Sequence, residues 1–196
     1  MERRATIERK TKETQIRLTL NLDGKGLADI ATGIPFMDHM LSLMAAHGFM
    51  DIEIAAKGDT QIDDHHTVED LGICLGMAIR RALGETKGIK RYGHAVVPMD
   101  EALARVAIDI SNRPFLAYRI SLKESRTGTF DVNLLREFFR ALVYHSGITM
   151  HVDLDAGDDA HHIAESISKA FARALDQACE AEARLEGAVP STKGLL

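Results

Sequence analysis

One short pattern, His-His-x-x-Glu, occurs twice in this chain and constrains its fold more than any other feature. The first copy is His65-His66-x-x-Glu69, and the second is His161-His162-x-x-Glu165. Each copy is followed by apolar residues at steps of three and four, which predicts that it opens an amphipathic helix. A motif that returns after about half the chain predicts two repeated units related by a pseudo-twofold axis.

The segments around the two motifs repeat in the same order. Apolar and polar residues alternate over 16–22 and again over 106–110, which predicts the first strand of each unit. A second strand, a helix, a third strand and the motif helix follow, so each unit is predicted to be β-β-α-β-α. We therefore expect an α+β fold, a two-layer sandwich built from a duplicated unit with helices on one face of each mixed sheet. The predicted halves of this compact domain are residues 1–96 and 97–196.

Two stretches fall outside the repeated pattern. Residues 1–12 mix basic and acidic side chains and are expected to form a mobile or edge segment. A connector that contains Arg91 and His94 is expected to join the halves. The strand alternation also pairs Glu13 in the first half with Glu101 in the second.

The motif residues are of the types that bind divalent metals. On a helix, residues three and four apart lie side by side, whereas adjacent residues point in different directions. Glu69 can therefore share an ion with His65 or His66, while the two histidines face different places. A single motif could be a solvated helix start. Two copies in equivalent places favour metal binding, because crowded imidazoles beside a carboxylate are costly without an ion.

Other histidines complete two matched sets of ligands. His47 and His145 precede equivalent strands, which gives each of two ions three imidazoles and one carboxylate. The expected ligands are His47, His65, His66, Glu69, His145, His161, His162 and Glu165. Nitrogen and oxygen ligands suit Mn, Fe, Zn, Ni or Co. Because adjacent histidines point apart, each motif is expected to contribute ligands to both ions. The two halves would then meet either within one chain or across subunits.

His39 stands apart from these sets, since Glu137 occupies the matching place in the second half. We interpret His39 as a substrate contact or proton carrier, with metal ligation as the alternative. His151 is expected to be a solvated strand residue.

The composition argues against several kinds of partner. A net charge of −5, with no Trp and no basic stripe, gives no general attraction to nucleic acid or to an anionic membrane. No apolar run approaches the ~18 residues that span a bilayer, and the charged start lacks the apolar core of a secretion signal. We expect a cytoplasmic protein. Cys74 and Cys179 are expected to be buried and unpaired.

Beyond the motif, the chain from about Arg9 to Leu196 resembles imidazoleglycerol-phosphate dehydratase, an enzyme family of histidine biosynthesis. The matching stretches are Arg9-Lys-Thr-Lys-Glu-Thr, Gly33-Ile-Pro-Phe-Met-Asp-His-Met-Leu, Asp64-His-His-Thr-Val-Glu-Asp, Arg91-Tyr-Gly, Pro98-Met-Asp-Glu-Ala-Leu, Ser111-Asn-Arg-Pro, Ala160-His-His-x-x-Glu and Pro190-Ser-Thr-Lys-Gly. The resemblance implies a ribosomal-protein-S5-domain-2-like fold, two Mn²⁺ ions per active site, and trimers that assemble into a 24-subunit homo-oligomer. It also implies a hydro-lyase that converts D-erythro-imidazole glycerol phosphate to imidazole acetol phosphate.

The resemblance assigns roles that residue type alone does not. It makes the motif residues metal ligands, with His47 and His145 completing the sets, and makes Glu13 the acid–base glutamate. His39 stays a catalytic and substrate-binding candidate on the reasoning from the repeat. The substrate-binding, mainly phosphate-holding, residues that it implies are Arg91, Arg113, Lys169, Ser191 and Lys193. By residue type alone, Glu13 and Lys169 would be solvated charges and the Ser-Thr-Lys-Gly tail would be disordered.

The expected mechanism follows from the chemistry of the substrate. If both nitrogens of its imidazole ring bind metal, the ring loses its proton and the resulting imidazolate can expel hydroxide from the adjacent carbon. Glu13 would then take the proton of the next carbon in the diazafulvene-like intermediate, giving an enol that relaxes to the ketone. Two alternatives remain: a dinuclear metal-dependent phosphate-ester hydrolase that uses a bridging water, and a non-catalytic metal-assembled cage.

Overall fold

The computed structural model describes residues 3–194 as two sheets and the helices packed on them. The first half forms β1 (Arg4–Lys10), β2 (Thr14–Asn21), β3 (Ala28–Ala31), α1 (Pro35–Gly48), β4 (Asp51–Gly58) and α2 (His65–Leu83). The second half forms β5 (Tyr92–Met99), β6 (Ala102–Ile110), β7 (Phe115–Arg119), β8 (Arg126–Thr127), β9 (Phe130–Asp131), α3 (Leu134–Ser146), β10 (Ile148–Ala156) and α4 (Ala160–Cys179). A 3-10 turn, Ala183–Leu185, precedes the tail.

The two main sheets have the same topology, which confirms the duplicated α+β fold. The strand order is β1-β2-β4-β3 in the first sheet and β5-β6-β10-β7 in the second. In each sheet three strands are antiparallel, and the last strand, β3 or β7, runs parallel to its neighbour. Both sheets are therefore mixed, as expected.

Each main sheet contains one strand more than the predicted β-β-α-β-α unit supplies, and the second half also forms the short pair β8 and β9. Residues 4–10 form the edge strand β1, which agrees with the edge alternative for residues 1–12; Met1 and Glu2 lie outside the described residues. The expected connector around His94 is wrong, because His94 lies in edge strand β5. The predicted division after residue 96 falls inside this strand. Edge strands need no strict alternation and tolerate a proline such as Pro98, so their sequence signal is weak.

The core lies between the sheets and the helices. Ile16, Leu18 and Leu20 point inward from β2, whereas Gln15 and Arg17 face solvent. Helices α1 and α2 cover the first sheet, and α3 and α4 cover the second. The helices of the two halves also pack against each other, α1 on α4 and α2 on α3, so the layers run sheet, helices, helices, sheet.

Two glycines allow the closest of these helix contacts. A Cβ atom at Gly72 would overlap the Phe138 carbonyl of α3, and one at Gly76 would overlap the Leu142 carbonyl. The absence of side chains at these positions brings α2 and α3 close together. Through this contact α2 lies beside α3 of the other half, as α4 lies beside α1. No helix within residues 3–194 is both long and apolar enough to cross a bilayer.

Candidate metal centre

Three potential ligands converge where α1 meets the start of α4. His39 Nε2 lies 2.9 Å from Glu165 Oε1, and His161 Nε2 lies 3.1 Å from the same oxygen. One ligand atom of each residue lies within 4.8 Å of the other two. No other group of three or more such residues comes together within residues 3–194. Two imidazole nitrogens and a carboxylate oxygen at this spacing fit a divalent ion of the Mn, Fe or Zn type.

The surroundings of Glu165, a candidate ligand, favour its ionised form. Glu165 is only 7% exposed, and Lys169 Nζ donates a hydrogen bond to Glu165 Oε2 at 2.6 Å. Burial alone would raise the pKa of Glu165, but hydrogen bonds with Lys169, His39 and His161 outweigh it and lower the pKa to about 2. Since Lys169 occupies Oε2, Oε1 is the oxygen that faces the two imidazoles. Lys169, expected to bind substrate, thus contacts a candidate ligand in this structure.

The matching place in the first half is built differently. His65 Nε2 lies 3.8 Å from Glu69 Oε2, while Arg140 Nη2 lies 3.7 Å from Glu69 Oε1. The position equivalent to His39 holds Glu137, which forms an ion pair with Arg140 at 2.6 Å. The first half therefore brings together two of the expected ligands beside an arginine.

His47 and His145 lie in the last turns of α1 and α3. Burial lowers the pKa of His47, as do the nearby charges of Lys169 and Arg173. Burial likewise lowers the pKa of His145, with a further contribution from Arg9. Both shifts favour the neutral ring, the form that binds metal. Neither joins the three-residue cluster within this chain, and their role as ligands stays a prediction.

His66 and His162 face away from their motif neighbours. The rings of His65 and His66 are 6.2 Å apart and lie at 85° to each other, and those of His161 and His162 are 6.3 Å apart at 81°. His66 Nδ1 lies 3.0 Å from Asp59 Oδ2, and His162 Nδ1 lies 2.7 Å from Glu101 Oε2.

Sequence reasoning did not identify Asp59 as a partner of His66, and it assigned no role to Glu101. Its one relevant signal was the repeat, which pairs Glu13 with Glu101. Glu13 Oε1 lies 4.0 Å from His66 Nε2, so each glutamate stands beside the second histidine of its own motif.

Four of the predicted phosphate-binding residues line one surface depression. These residues are Arg91, Arg113, Ser191 and Lys193. Arg91 also fixes the tail there, because its Nη1 donates to the Pro190 carbonyl at 2.7 Å. The depression shares no residue with the His39 cluster in the single chain.

The fold and the site define a duplicated α+β protein with histidine–carboxylate helix starts suited to a divalent metal. A family model described as imidazoleglycerol-phosphate dehydratase matches residues 32–175. The chain belongs to the imidazoleglycerol-phosphate dehydratase family.

Full-length relatives and solved structures agree with this assignment. The chain is 57% identical over 196 residues to imidazoleglycerol-phosphate dehydratase of Geobacter sulfurreducens, covering 100% of both proteins. It is 57% identical over 194 residues to the protein of that name from Aromatoleum aromaticum, covering 99% of this chain and 100% of the relative.

The structural likeness extends over nearly the whole chain. The crystal structure of imidazoleglycerol-phosphate dehydratase from Staphylococcus aureus is 40% identical, with a TM-score of 0.83, and covers 91% of this chain and 99% of that one. A crystal structure of IGPD from Pyrococcus furiosus in complex with (S)-C348 is 37% identical, with a TM-score of 0.84, and covers 97% of this chain and 100% of that one.

Proposed function

We propose that this chain is a hydro-lyase of histidine biosynthesis that converts D-erythro-imidazole glycerol phosphate to imidazole acetol phosphate. The observation that carries the proposal is the convergence of His39, His161 and Glu165 at the start of α4. Family membership supports the substrate and the reaction. The cationic depression around Arg91 and Arg113 supports a phosphorylated substrate, because arginine and lysine are suited to binding phosphate.

Two Mn²⁺ ions per active site fit the donors that the chain presents. His39, His161 and Glu165 would hold one ion, and we therefore prefer ligation for His39 over a role as proton carrier. His65 and Glu69, with His145 nearby, offer donors of the same kind for the other. Held by these residues, such ions would act as Lewis acids that favour loss of the substrate ring proton and would let the ring donate electrons toward the adjacent carbon.

Glu13 is the residue that we propose moves the proton at carbon. It is a half-exposed carboxylate just before β2, and its Oε1 lies 4.0 Å from His66 Nε2. A carboxylate there can take the proton from the second hydroxylated carbon after hydroxide has left its neighbour. Arg91, Arg113, Ser191 and Lys193 would bind the phosphate and hold that carbon in place. Lys169 would fix the orientation of Glu165 and contact substrate from the same position.

A complete site is proposed to need more than one copy of the chain. The rings of His66 and His162 point away from the nearest candidate ligands, and the phosphate depression lies apart from the cluster. Contacts between copies would bring these groups together and would couple metal binding to assembly. We propose a homo-oligomer of 24 subunits built from trimers and acting in the cytoplasm.

Purified protein tests this proposal directly. Elemental analysis should find a divalent metal bound stoichiometrically, and imidazole glycerol phosphate should be dehydrated. Activity should disappear after chelation and return when Mn²⁺ is added. Release of inorganic phosphate from the substrate would favour the hydrolase alternative, and bound metal with assembly but no turnover would favour the cage. Full dehydration by well-folded, metal-free protein would refute the metal-dependent mechanism.

A further inference from the structure

The second histidine of each motif is oriented by a carboxylate, but the two carboxylates come from different parts of the repeat. Asp59, at the end of β4, reaches His66 Nδ1 with Oδ2 at 3.0 Å and Oδ1 at 3.3 Å. Glu101, just before β6, reaches His162 Nδ1 with Oε2 at 2.7 Å. The same task is thus carried out by non-equivalent residues in the two halves.

The loops before the motif helices explain this difference. Strand pairing places Ala56 opposite Ile16 in one sheet and Leu154 opposite Ala104 in the other. With the bulge at Asp155 counted, Gly58 corresponds to Gly157, and Asp59 to Asp158. Residues 59–64 then separate β4 from α2 and turn back on themselves, since the Ile62 N–H donates to the Asp59 carbonyl.

The second loop is shorter and turns its aspartate elsewhere. Only Asp158 and Asp159 separate Gly157 from α4. The Asp158 side chain pairs with Lys123 in solvent. Its backbone N–H, with that of Asp159, donates to Glu101 Oε1 at 3.3 and 2.9 Å. Glu101 therefore binds the loop with one oxygen and His162 with the other.

We propose that Asp59 and Glu101 are positioning residues that fix the Nδ1–H tautomers of His66 and His162. An ionised carboxylate can only accept, so it places the ring proton on Nδ1 and leaves Nε2 free to bind an ion. This inference rests on the proposed function, in which both histidines are metal ligands.

The arrangement also explains why Glu13, and not its counterpart Glu101, is available for proton transfer. Glu101 is engaged through both of its oxygens. In the first half the longer loop gives His66 its carboxylate from Asp59, so Glu13 approaches the same ring only to 4.0 Å, on the Nε2 side. Glu13 is 54% exposed at its side chain and faces the atom that would bind metal. Of the two equivalent glutamates, Glu101 is therefore used to hold the loop and His162, whereas Glu13 is free of such contacts with Nδ1.

Glu101→Gln tests the inference through metal affinity. Glutamine has one acceptor oxygen, so it can satisfy the loop N–H groups or His162, but its NH₂ then faces the other partner. If the NH₂ faces His162, it selects the wrong tautomer. After metal removal, Mn²⁺ titration by calorimetry should show affinity lowered about 10- to 100-fold, as for other residues that orient metal-binding histidines. Glu13→Gln should lower Mn²⁺ affinity far less than Glu101→Gln does, because Glu13 does not hold Nδ1.

Asp155→Asn is the matched control, because it removes a carboxylate that pairs with exposed Arg105 and touches no histidine. It should bind Mn²⁺ like the wild type. Thermal unfolding of the metal-free variants separates the proposed role from a merely structural one. A simple loop anchor would lower the melting temperature of Glu101→Gln and leave the Mn²⁺ affinity of the folded protein unchanged, which would overturn the inference.

Asp59→Ala tests the same inference on His66 and decides the matter if Glu101→Gln does not fold. It should also weaken Mn²⁺ binding. Wild-type affinity in Asp59→Ala would contradict the role of Asp59. A wild-type protein that binds no Mn²⁺ would instead refute the proposed function itself, so the two failures are distinguishable.

Discussion

Asp109 holds Arg91 in place through two hydrogen bonds, from Nε to Oδ1 at 2.7 Å and from Nη2 to Oδ2 at 3.2 Å. Arg91 is only 8% exposed, and its Nη1 also donates to the Pro190 carbonyl, which ties down the tail. Arg113 Nη2 reaches the same carboxylate at 3.4 Å. One aspartate on β6 therefore organises two arginines and, through one of them, the segment that carries Ser191 and Lys193.

Asp109→Asn should weaken substrate binding more than it slows the chemistry. Asparagine is uncharged and has only one acceptor oxygen, so it cannot replace the carboxylate that accepts hydrogen bonds from both arginines. Each lost hydrogen bond to a charged group is worth roughly 1.5–3 kcal/mol. We expect KM to rise about tenfold or more, because about 1.4 kcal/mol of binding free energy corresponds to a tenfold change in affinity, and we expect a smaller change in kcat. Steady-state kinetics measures both. Asp153→Asn, which removes the exposed partner of Arg119, should leave KM unchanged. An unaltered KM in Asp109→Asn would exclude the arginine pair from substrate binding.

Glu13→Gln should keep metal and assembly while turnover falls by about 10² or more, the usual scale for a positioned proton-transfer group. The amide has nearly the same shape but cannot take a proton. Turnover measured at saturating substrate, with metal content determined in parallel, checks this result. Glu8→Gln is a suitable control, because Glu8 is an exposed carboxylate on the neighbouring strand that pairs with Arg17. Near-normal turnover in Glu13→Gln would remove Glu13 from the chemistry.

His65→Ala and His161→Ala should each lose both bound metal and the large assembly. Each substitution removes a donor that lies beside the glutamate of its own motif. Elemental analysis and sedimentation velocity report the two properties independently. His151→Ala should change neither, since His151 lies on a strand near exposed Arg119. A metal-depleted variant that keeps its full size would place the metal away from the subunit contacts.

The sequence predicted what depends on local pattern. Alternation along β2 and β6 and the steps of three and four after each motif give the strands and helices, and the duplicated motif gives the symmetry of the fold. Edge strand β5 was not predicted, because its residues do not alternate cleanly between apolar and polar and include a proline. The contact of α2 with α3 was open to prediction from Gly72 and Gly76, whose spacing puts both on one face of α2.

The site was predictable in its residue types but not in its geometry. Matching His47 with His145, because both precede equivalent strands of the repeat, predicted symmetric ligand sets. In the structure, His39 meets Glu165, whereas its counterpart Glu137 meets Arg140. The side chain that each of these residues contacts depends on which helices of the two halves pack together, and local sequence pattern does not specify that packing. Asp59 was missed because its contact with His66 depends on how the loop after β4 folds back.

Asp51→Asn should destabilise the protein at neutral pH, and by progressively less as the pH falls below about 3.8. Asp51 Oδ1 accepts the N–H groups of Lys25 and Leu27 at 2.8 and 3.0 Å, and these bonds lower the pKa of Asp51. A lowered pKa in the folded state means that the carboxylate stabilises the fold above its unfolded pKa, near 3.8, and that this contribution is lost as the pH falls through the folded value.

The expected difference at pH 7 is about 1 kcal/mol or less, because the group is close to solvent and screened. Urea unfolding of metal-free protein between pH 7 and pH 3 measures it. Asp29→Asn, at an exposed carboxylate on β3, should show no such pH-dependent difference. A destabilisation of Asp51→Asn that stays constant with pH would mean that the charge of Asp51 is not what stabilises the turn.

Gly72→Ala should destabilise the fold although alanine is the better helix former. Propensity favours alanine by about 1 kcal/mol. The new methyl group, however, would overlap the Phe138 carbonyl and approach Ala141 Cβ to 3.1 Å, and a backbone carbonyl cannot rotate away as a side chain can. Overpacking of this kind costs about 1–3 kcal/mol and more where helices must move apart, so the clash prevails.

Urea unfolding of metal-free protein should show the loss. Ser168→Ala changes the corresponding position of α4 without adding an atom and should have a much smaller effect. A Gly72→Ala variant as stable as the wild type would show that α2 and α3 can separate freely, and the close contact would then not be what places Glu69 beside Arg140.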